Sequence, residues 1–470
     1  MTEKLAQRGK WSPGGALLAN GRYWSVFSRR GTGVAFARWN GDWLQTYGWR
    51  PEVVDDASGW LFYLRDRNTG FVWSPAPAPC PHTGGQYRFW RRQGRSAIEC
   101  RTPELYTELT AWVDTTQACE FRWLHLRNVC PRTLEIDVTT YLEVVLFPFA
   151  AFAAHPAFAK LFVQTEWLPN GLCLVARRRA RSSEERWPLF FLAARTVAAV
   201  EYETDRMSFI GRGRNLHRPR ALVSAALLSG NVGNVLDPAL SMRQVLVLPP
   251  EGVADLEFVC GVAGDEASLR QTLQKPAGQV QRAVSLEDAR RGHGQLLRAT
   301  GLRLREARRA EELAVCLLYR SPDLRVRQAV EAEAAASVQA KLEIDASRRL
   351  FVVDEQADQA LWERIARYWT ITGVPIDVAF VHCCSNSVMV RHISPAGSGS
   401  DLTDLSSSEY RALLACADGC ARIQPKGHAG SRRVASRTCL EEPERIAQEP
   451  SRPPVELWNG FGGFCAGGKE

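Results

Sequence analysis

The sequence predicts a mainly β protein: a large antiparallel sandwich or barrel, then a helical stretch and a small α/β unit. Three observations carry this. Between about 20 and 260, apolar residues alternate at period two in segments separated by short turns, so each strand can bury one face. From about 265 the chain becomes rich in Arg, Glu, Ala and Leu, with apolar residues three to four apart, the helical period. Over 351–382 the order reads strand, helix, strand. Antiparallel strands in this number must pack one face against a partner sheet.

Taken in order, "FYLRDRNTGFVWSP" (62–75) places two aromatic-rich strands around an Asn-Thr-Gly turn. "LEIDVTTYLEVVLF" (134–147) sets Ile136, Val138, Thr140, Leu142 and Val144 on one face. "VQTEWLPNGLCLVARR" (163–178) reads as a hairpin in which Asn170-Gly171 takes the positive φ angles of a primed turn. "MRQVLVLPPEGVADLEFVCGVA" (242–263) gives two strands around Pro-Pro-Glu-Gly. Helices are predicted over 265–274 and 285–320, with breaks at Gly294 and Gly301, and helix continues through 321–344. In the α/β unit, Leu361, Ile365 and Tyr368 or Trp369 share a helix face, and "IDVAFVH" (376–382) has the pattern of a buried strand. Residues 385–455 are rich in Ser, Gly, Pro and charge. One helix is expected within 407–423 and little regular structure elsewhere.

The composition, 45% hydrophobic and 23% charged over 470 residues, is that of a globular protein with a sizeable core. The net charge is +8, carried by short Arg clusters such as those at 177–186 and 209–220. These form no long basic run and no nucleic-acid motif, so they read as solvated surface and no nucleic-acid partner is expected. Thirteen Cys fit no disulfide framework, and the N-terminus lacks the apolar core of a signal peptide. The expectation is free thiols in a reducing cytoplasm, with no membrane span. Cys416 and Cys420 could share a helix face, but two further zinc ligands at matching spacing are absent. No phosphate-cradling loop, nucleophile elbow or metal-spaced His pair occurs, and no cofactor is expected. Asp55-Asp56 and Glu184-Glu185 are adjacent acids, which on a strand point to opposite faces and cannot by spacing alone flank a glycosidic bond.

The aromatic-polar stretch 36–66 stands out. It offers Trp39, Asp42, Trp43, Tyr47, Trp49 and Arg50 within a short span. Flat rings beside charged groups match the apolar C–H faces and hydroxyl rims of sugars, and these six are the candidate carbohydrate-binding residues. Packing of a long loop accounts for the same rings, and Trp60, Phe62 and Leu64 read as core.

Several segments together resemble a known family. "LLANGRYWSVFSRRGTGVAFARW" (17–39), "GWLFYLRDRNTGFVWSP" (59–75), "YLEVVLFPFAAFAAHPAFAKLFVQTEW" (141–167), "YETDRMSFIGRGRNL" (202–216) and "NVGNVLDPALSMRQVLVLPP" (231–250) are similar to cyclic β-1,2-glucan synthases. The resemblance is nearly continuous from 17 to 275, patchy to 382, and returns at "ELWNGFGGF" (456–464). It departs from the family pattern at 327–350 and 383–440, which would fit local frame changes. The resemblance implies a two-sheet antiparallel supersandwich of galactose mutarotase-like form. Related glycoside phosphorylases, such as cellobiose phosphorylase, follow this with a helical linker and a catalytic (α/α)6 barrel.

The expected divisions are an N-terminal tail (1–16), the supersandwich (17–275), a helical linker (276–345), a small α/β unit (346–425), a disordered linker (426–455) and the start of a further domain (456–470), without the barrel. The implied role is non-catalytic: holding or guiding β-glucan or a gluco-oligosaccharide beside a catalytic domain or chain, with association to the inner membrane through that partner. Two alternatives stay open. A sugar epimerase would need His125 or His155 to converge with Glu143 or Glu166. A purely structural module would use the terminal "WNGFGG" as a docking strand.

Overall fold

The computed structural model describes residues 14–48, 58–195, 199–223, 226–275, 277–319, 324, 332–344, 348–354, 357–383, 388–394 and 402–421, and the strand segments 445–446, 455–458 and 463–465. Two nine-stranded antiparallel sheets face each other. The first holds β1 (Gly15–Ala19), β2 (Tyr23–Ser28), β3 (Ala35–Trp39), β4 (Asp42–Tyr47), β5 (Leu61–Asp66) and β6 (Val72–Trp73), with β11 (Leu134–Pro148), β15 (Glu201–Asp205) and β16 (Pro238–Leu248). The second runs β12 (Val163–Leu168), β13 (Cys173–Arg178), β14 (Leu189–Ala194), β17 (Val253–Ala263), β10 (Cys119–Asn128), β9 (Leu105–Val113), β8 (Arg95–Arg101) and β7 (Gln86–Arg92). β23 (Arg445–Ile446), within the expected disordered linker, pairs with the edge of β7.

The long β11 organises the first sheet. On one side it pairs with β16; on the other, its first half pairs with β5 and its second with β4. Its Ile136, Val138, Leu142 and Val144 face the second sheet's Leu124, Leu126, Phe190, Leu192 and Phe258 in one core, as the alternation predicts. Trp60, Phe62 and Leu64 join them. The chain passes between the sheets five times, and two of these passages, from β10 to β11 and from β16 to β17, lie side by side. Asn128, fully buried, ties these crossings together: its Nδ2 donates to the carbonyls of Arg132 (2.7 Å), Leu248 (3.0 Å) and Pro249 (2.9 Å).

Several turns differ from expectation. The 163–178 hairpin forms, but through a 3-10 turn at Pro169–Gly171, and the left-handed residue is Leu172 (φ 43). The helices after the sandwich are α4 (Glu266–Leu273), α5 (Gln279–Thr300) and α6 (Leu304–Leu318). They follow α1 (Phe149–Ala154), α2 (Pro156–Lys160) and α3 (Arg206–Ile210), which are too short to show a helical period in sequence. α5 runs through Gly294 without a break, because a glycine inside a packed helix costs only about 1 kcal/mol. Gly301, left-handed at φ 69, ends it as predicted.

The α/β unit is larger than expected. α7 (Ala332–Lys341) precedes β18 (Arg349–Val353), α8 (Gln359–Thr372) and β19 (Ile376–Cys383), and the two strands are parallel. Ile365, Tyr368 and Trp369 are buried beneath α8. Beyond 385, β20 (Val388–Ile393), β21 (Thr403–Leu405), α9 (Ser407–Cys416) and β22 (Gly419–Ala421) complete a five-stranded mixed sheet. This corrects the reading of that region as mostly irregular. The capping box of Ser406 and Glu409 starts α9, and Ala412, Leu413 and Leu414 bury its face. The helix stops at Cys416, so Cys416 and Cys420 lie on different elements rather than one helix face. Among the described residues β24 (Val455–Trp458) and β25 (Gly463–Cys465) pair with each other alone, and the turn between them lies outside those residues.

Candidate functional site

The β3–β4 hairpin positions the first predicted residues. Asn40 (φ 49) and Gly41 (φ 93) make a two-residue turn in which both residues adopt positive φ, and Trp39 pairs directly with Asp42 across it. Asp42 is exposed. The half-buried Trp39 ring is oriented by its Nε1, which donates to the Arg186 carbonyl at 2.8 Å.

The next two residues are not beside them. The register shifts between the Ala35–Tyr47 and Phe36–Gln45 pairs, inserting one residue at Thr46. Such a bulge turns Tyr47 to the opposite face from Trp43. Tyr47 is therefore a core residue, fully buried, whose hydroxyl donates to Glu120. Burial and the Glu120 charge hold that phenol well above its usual range. Trp43 is half-buried against Trp24, with ring centroids 6.4 Å apart, and fills the space beside Gly373 at the end of α8. A single six-residue sugar platform is thus corrected: Tyr47 is not at the surface, and Trp43 packs between the sandwich and α8. Trp49 and Arg50 lie outside the described residues, as do Asp55 and Asp56.

Around Trp39 the fold gathers residues that no local pattern links. The Arg178 guanidinium stacks 3.8 Å from the Phe147 ring centre and 5.2 Å from that of Trp187, and donates to the Ala159 carbonyl. Burial, helped by the Arg181 charge, pushes Arg178 down to about 10. Arg181 lies 4.8 Å from the Phe162 ring centre, and Phe162 meets Phe158 edge to face at 5.1 Å. Phe158 is 54% exposed, unusual for a large apolar ring. Trp187 follows Arg186, the residue that holds Trp39, so the loop that orients one ring carries the other. Its Nε1 is buried and has no hydrogen-bond partner.

An ion-pair cluster fixes this end of the sandwich. Lys160 of α2 contacts Asp237 (2.6 Å) and Glu143 (3.3 Å), and Arg206 of α3 contacts Glu143 (2.9 Å) and Asp237 (3.5 Å). Burial raises Glu143, but the two cations outweigh it and hold the carboxyl below its usual value. Both short helices are thereby pinned to β11. The result is a rigid base beside the exposed Phe158 ring, the half-buried rings of Trp39, Phe162 and Trp187, and the exposed Arg181 guanidinium, an arrangement able to stack on a pyranose and bind its hydroxyls. Sequence reading missed Phe158, Phe162, Arg178 and Trp187. The Arg-rich run at 177–186 was the available signal, and it reads as solvated surface until the aromatic partners are seen.

The four residues of the epimerase alternative do not converge. His125 Nδ1 lies 2.8 Å from Asp255 on the second sheet, whereas Glu143 sits in the cation cluster of the first. Glu166 pairs with Arg177 at 3.0 Å, and His155 is exposed between α1 and α2. Glu184 and Glu185 occupy the loop before Trp187. Among the described residues no group of three or more His, Cys, Asp or Glu is placed to hold a metal ion. Nor, among them, is any helix long and apolar enough to cross a membrane. Cys80, Cys100, Cys119, Cys173 and Cys260 are buried free thiols.

Comparison with known proteins gives a family. Residues 6–278 match the family described as glycosyl hydrolase 94, supersandwich domain. The cyclic beta-(1,2)-glucan synthase NdvB of Rhizobium meliloti (strain 1021) is 31% identical over 265 residues, 55% of this chain and 9% of that protein. The solabiose phosphorylase of Paenibacillus borealis is 24% identical over 214 residues, 46% of this chain and 27% of that one. The chain thus spans less than a third of either relative. Among solved structures, a bacterial glucoamylase complexed with acarbose matches with a TM-score of 0.38 and 7% identity, over 66% of this chain and 40% of that one.

Proposed function

The chain belongs to the glycosyl hydrolase 94 supersandwich family, and from that premise we propose that it holds or guides β-glucan beside a catalytic domain in the parent protein or a partner chain. The observation that carries the proposal is the aromatic-guanidinium surface at the sandwich end, where the exposed Phe158 shares a short helix with Lys160, itself held by Glu143 and Asp237, and the half-buried Trp39 is held by the loop that carries Trp187. Rings held by buried ion pairs lose little conformational freedom on contact with a sugar, so even a small surface can bind.

In this reading residues 17–275 handle the glucan, and the helical linker (276–345) and the α/β unit (346–425) set the distance to the catalytic partner. The protein works in the cytoplasm and reaches the inner membrane only through that partner. The relative named for cyclic beta-(1,2)-glucan synthesis makes β-1,2-linked glucose the first ligand to test.

Intrinsic tryptophan fluorescence, titrated with β-1,2-gluco-oligosaccharides, tests the proposal. A saturable change with Kd between about 1 µM and 1 mM supports it. A flat titration to tens of millimolar rejects it.

A further inference from the structure

A second site lies where the β7–β8 hairpin, β1 and β9 meet helices α5, α6 and α8. These elements enclose a cavity of about 350 Å³, at the lower end of the range for small-molecule pockets. Its charge is unbalanced. Arg91, Arg92, Arg95 and Arg308 line it, against only Asp114 and Glu311 among acidic side chains.

Both acids are already engaged. Asp114 accepts from the Thr116 and Gln117 amides and pairs with Lys275 at 3.1 Å. Glu311 accepts from Tyr368 Oη at 2.8 Å, lies 3.2 Å from His293 Nε2, and faces Arg91 at 3.9 Å. Arg91 is further committed to Glu312.

Arg92, Arg95 and Arg308 remain without a carboxylate within ion-pair distance among the described residues. Arg92 and Arg95 stack on opposite sides of the hairpin tip against Trp90, 5.0 and 5.8 Å from its ring centre. Among the described residues the Arg308 side chain donates only to the Arg91 carbonyl. His293 also lines the cavity, and its buried Nδ1 has no hydrogen-bond partner.

The hairpin tip is fixed rather than adaptable. Gly94 (φ 71) presses so closely on α5 that a Cβ there would come within 2.3 Å of the Ala289 carbonyl oxygen. Two guanidinium groups are therefore held near one another in advance. Partial burial and the neighbouring Arg92 charge lower the Arg95 pKa, with Glu108 the opposing influence. An arriving anion would relieve that repulsion.

We propose that this cavity is a binding site for a phosphomonoester of monosaccharide size. The phosphoryl oxygens would take Arg92, Arg95 and Arg308, since planar guanidinium donors match the oxygens of a phosphate better than a point charge does. The unpartnered His293 Nδ1 lines the same cavity and would then face the bound ester. The small and apolar wall of Leu17, Ala299 and Ile371 leaves room for a sugar-sized body.

Isothermal titration calorimetry of the full chain with glucose 6-phosphate, inorganic phosphate, glucuronate and glucose tests this. Saturable binding of glucose 6-phosphate is expected, at least about tenfold tighter than any of the other three. Arg92→Ala/Arg95→Ala should weaken it at least about tenfold. Arg212→Ala/Arg214→Ala removes the same charge from an exposed loop and should leave it unchanged. His293→Asn reports independently of the hairpin and should weaken binding too. Absence of glucose 6-phosphate binding, equal binding of phosphate or glucuronate, or full binding by the hairpin double variant would overturn the proposal.

Discussion

The Glu120 carboxylate and the Arg122 guanidinium lie 2.7 Å apart, both essentially fully buried between the sheets. Both come from β10 of the second sheet, yet most of their remaining partners belong to the first. Tyr23 and Tyr47 donate to Glu120 Oε1, Ser25 donates to Oε2, and Arg122 stacks between Phe27 and Trp60 at 4.9 and 5.1 Å. The pair fixes the lateral register of one sheet on the other in a way that alternating apolar contacts cannot.

Breaking it on one side strands a buried cation. Glu120→Gln should therefore lower the unfolding free energy by about 3–5 kcal/mol in urea titrations. Replacing both residues, Glu120→Leu with Arg122→Met, should cost clearly less than Glu120→Gln alone. If the double variant were the less stable, the pair would be a net source of stability rather than of register.

Two adjacent crossings between the sheets, β10 to β11 and β16 to β17, depend on Asn128. Asn128→Ala leaves the buried Leu248 carbonyl and the part-buried carbonyls of Arg132 and Pro249 without their shared donor and should destabilise by about 1–3 kcal/mol, read from the same urea midpoints. Asn128→Asp should fare no better, because a carboxylate cannot donate to those carbonyls.

Acid should expose the cost of two depressed carboxyls. Burial raises Asp255, but hydrogen bonds from His125 and Trp123 and the Arg282 charge outweigh it and hold the group at about 2. A carboxyl lower in the folded than in the unfolded state contributes stability above the unfolded value and loses it as pH falls through the folded one. The stability gap between wild type and Asp255→Asn should be constant near neutrality and close between about pH 4 and 2. Glu143, lowered by Lys160 and Arg206, should behave alike: the gap to Glu143→Gln opens above its unfolded value and closes below its folded one. A gap that widens with acid would contradict the assigned pairings.

Trp43 and Gly373 give a local test of how the sandwich meets the α/β unit. Gly373 sits at φ 77, and a Cβ there would reach 1.9 Å from the Trp43 ring. Gly373→Ala should cost about 1–3 kcal/mol and alter the near-ultraviolet circular dichroism of the indole, whereas Trp43→Ala in the same background should recover part of that loss. No recovery would place the strain elsewhere.

Much of the scaffold was legible because burial on one side imposes period two on a strand. Ile136 through Val144, and Trp60 with Phe62, announce their faces without further context. The candidate surface was only half legible. Trp39 and Asp42 flank a turn whose Asn-Gly signal is local, but the one-residue bulge that sends Tyr47 inward has no sequence signature. Phe147, Phe162, Arg178 and Trp187 are brought together by strand pairing over long separations, which a single sequence does not display. The sheet beyond residue 385 was missed for the opposite reason: its strands are short, and parallel pairing of β22 with β18 stabilises a segment whose composition alone reads as loop.

The central claim is that the sandwich end around Trp39 and Phe158 binds glucan. Calorimetric titration of wild type, Trp39→Ala and Phe158→Ala with a β-1,2-gluco-oligosaccharide tests it most directly. The account predicts saturable binding by the wild type and a loss of at least about threefold in affinity for each variant, with unfolding midpoints unchanged. Wild-type binding that survives both substitutions, or no binding by the wild type at all, would contradict it.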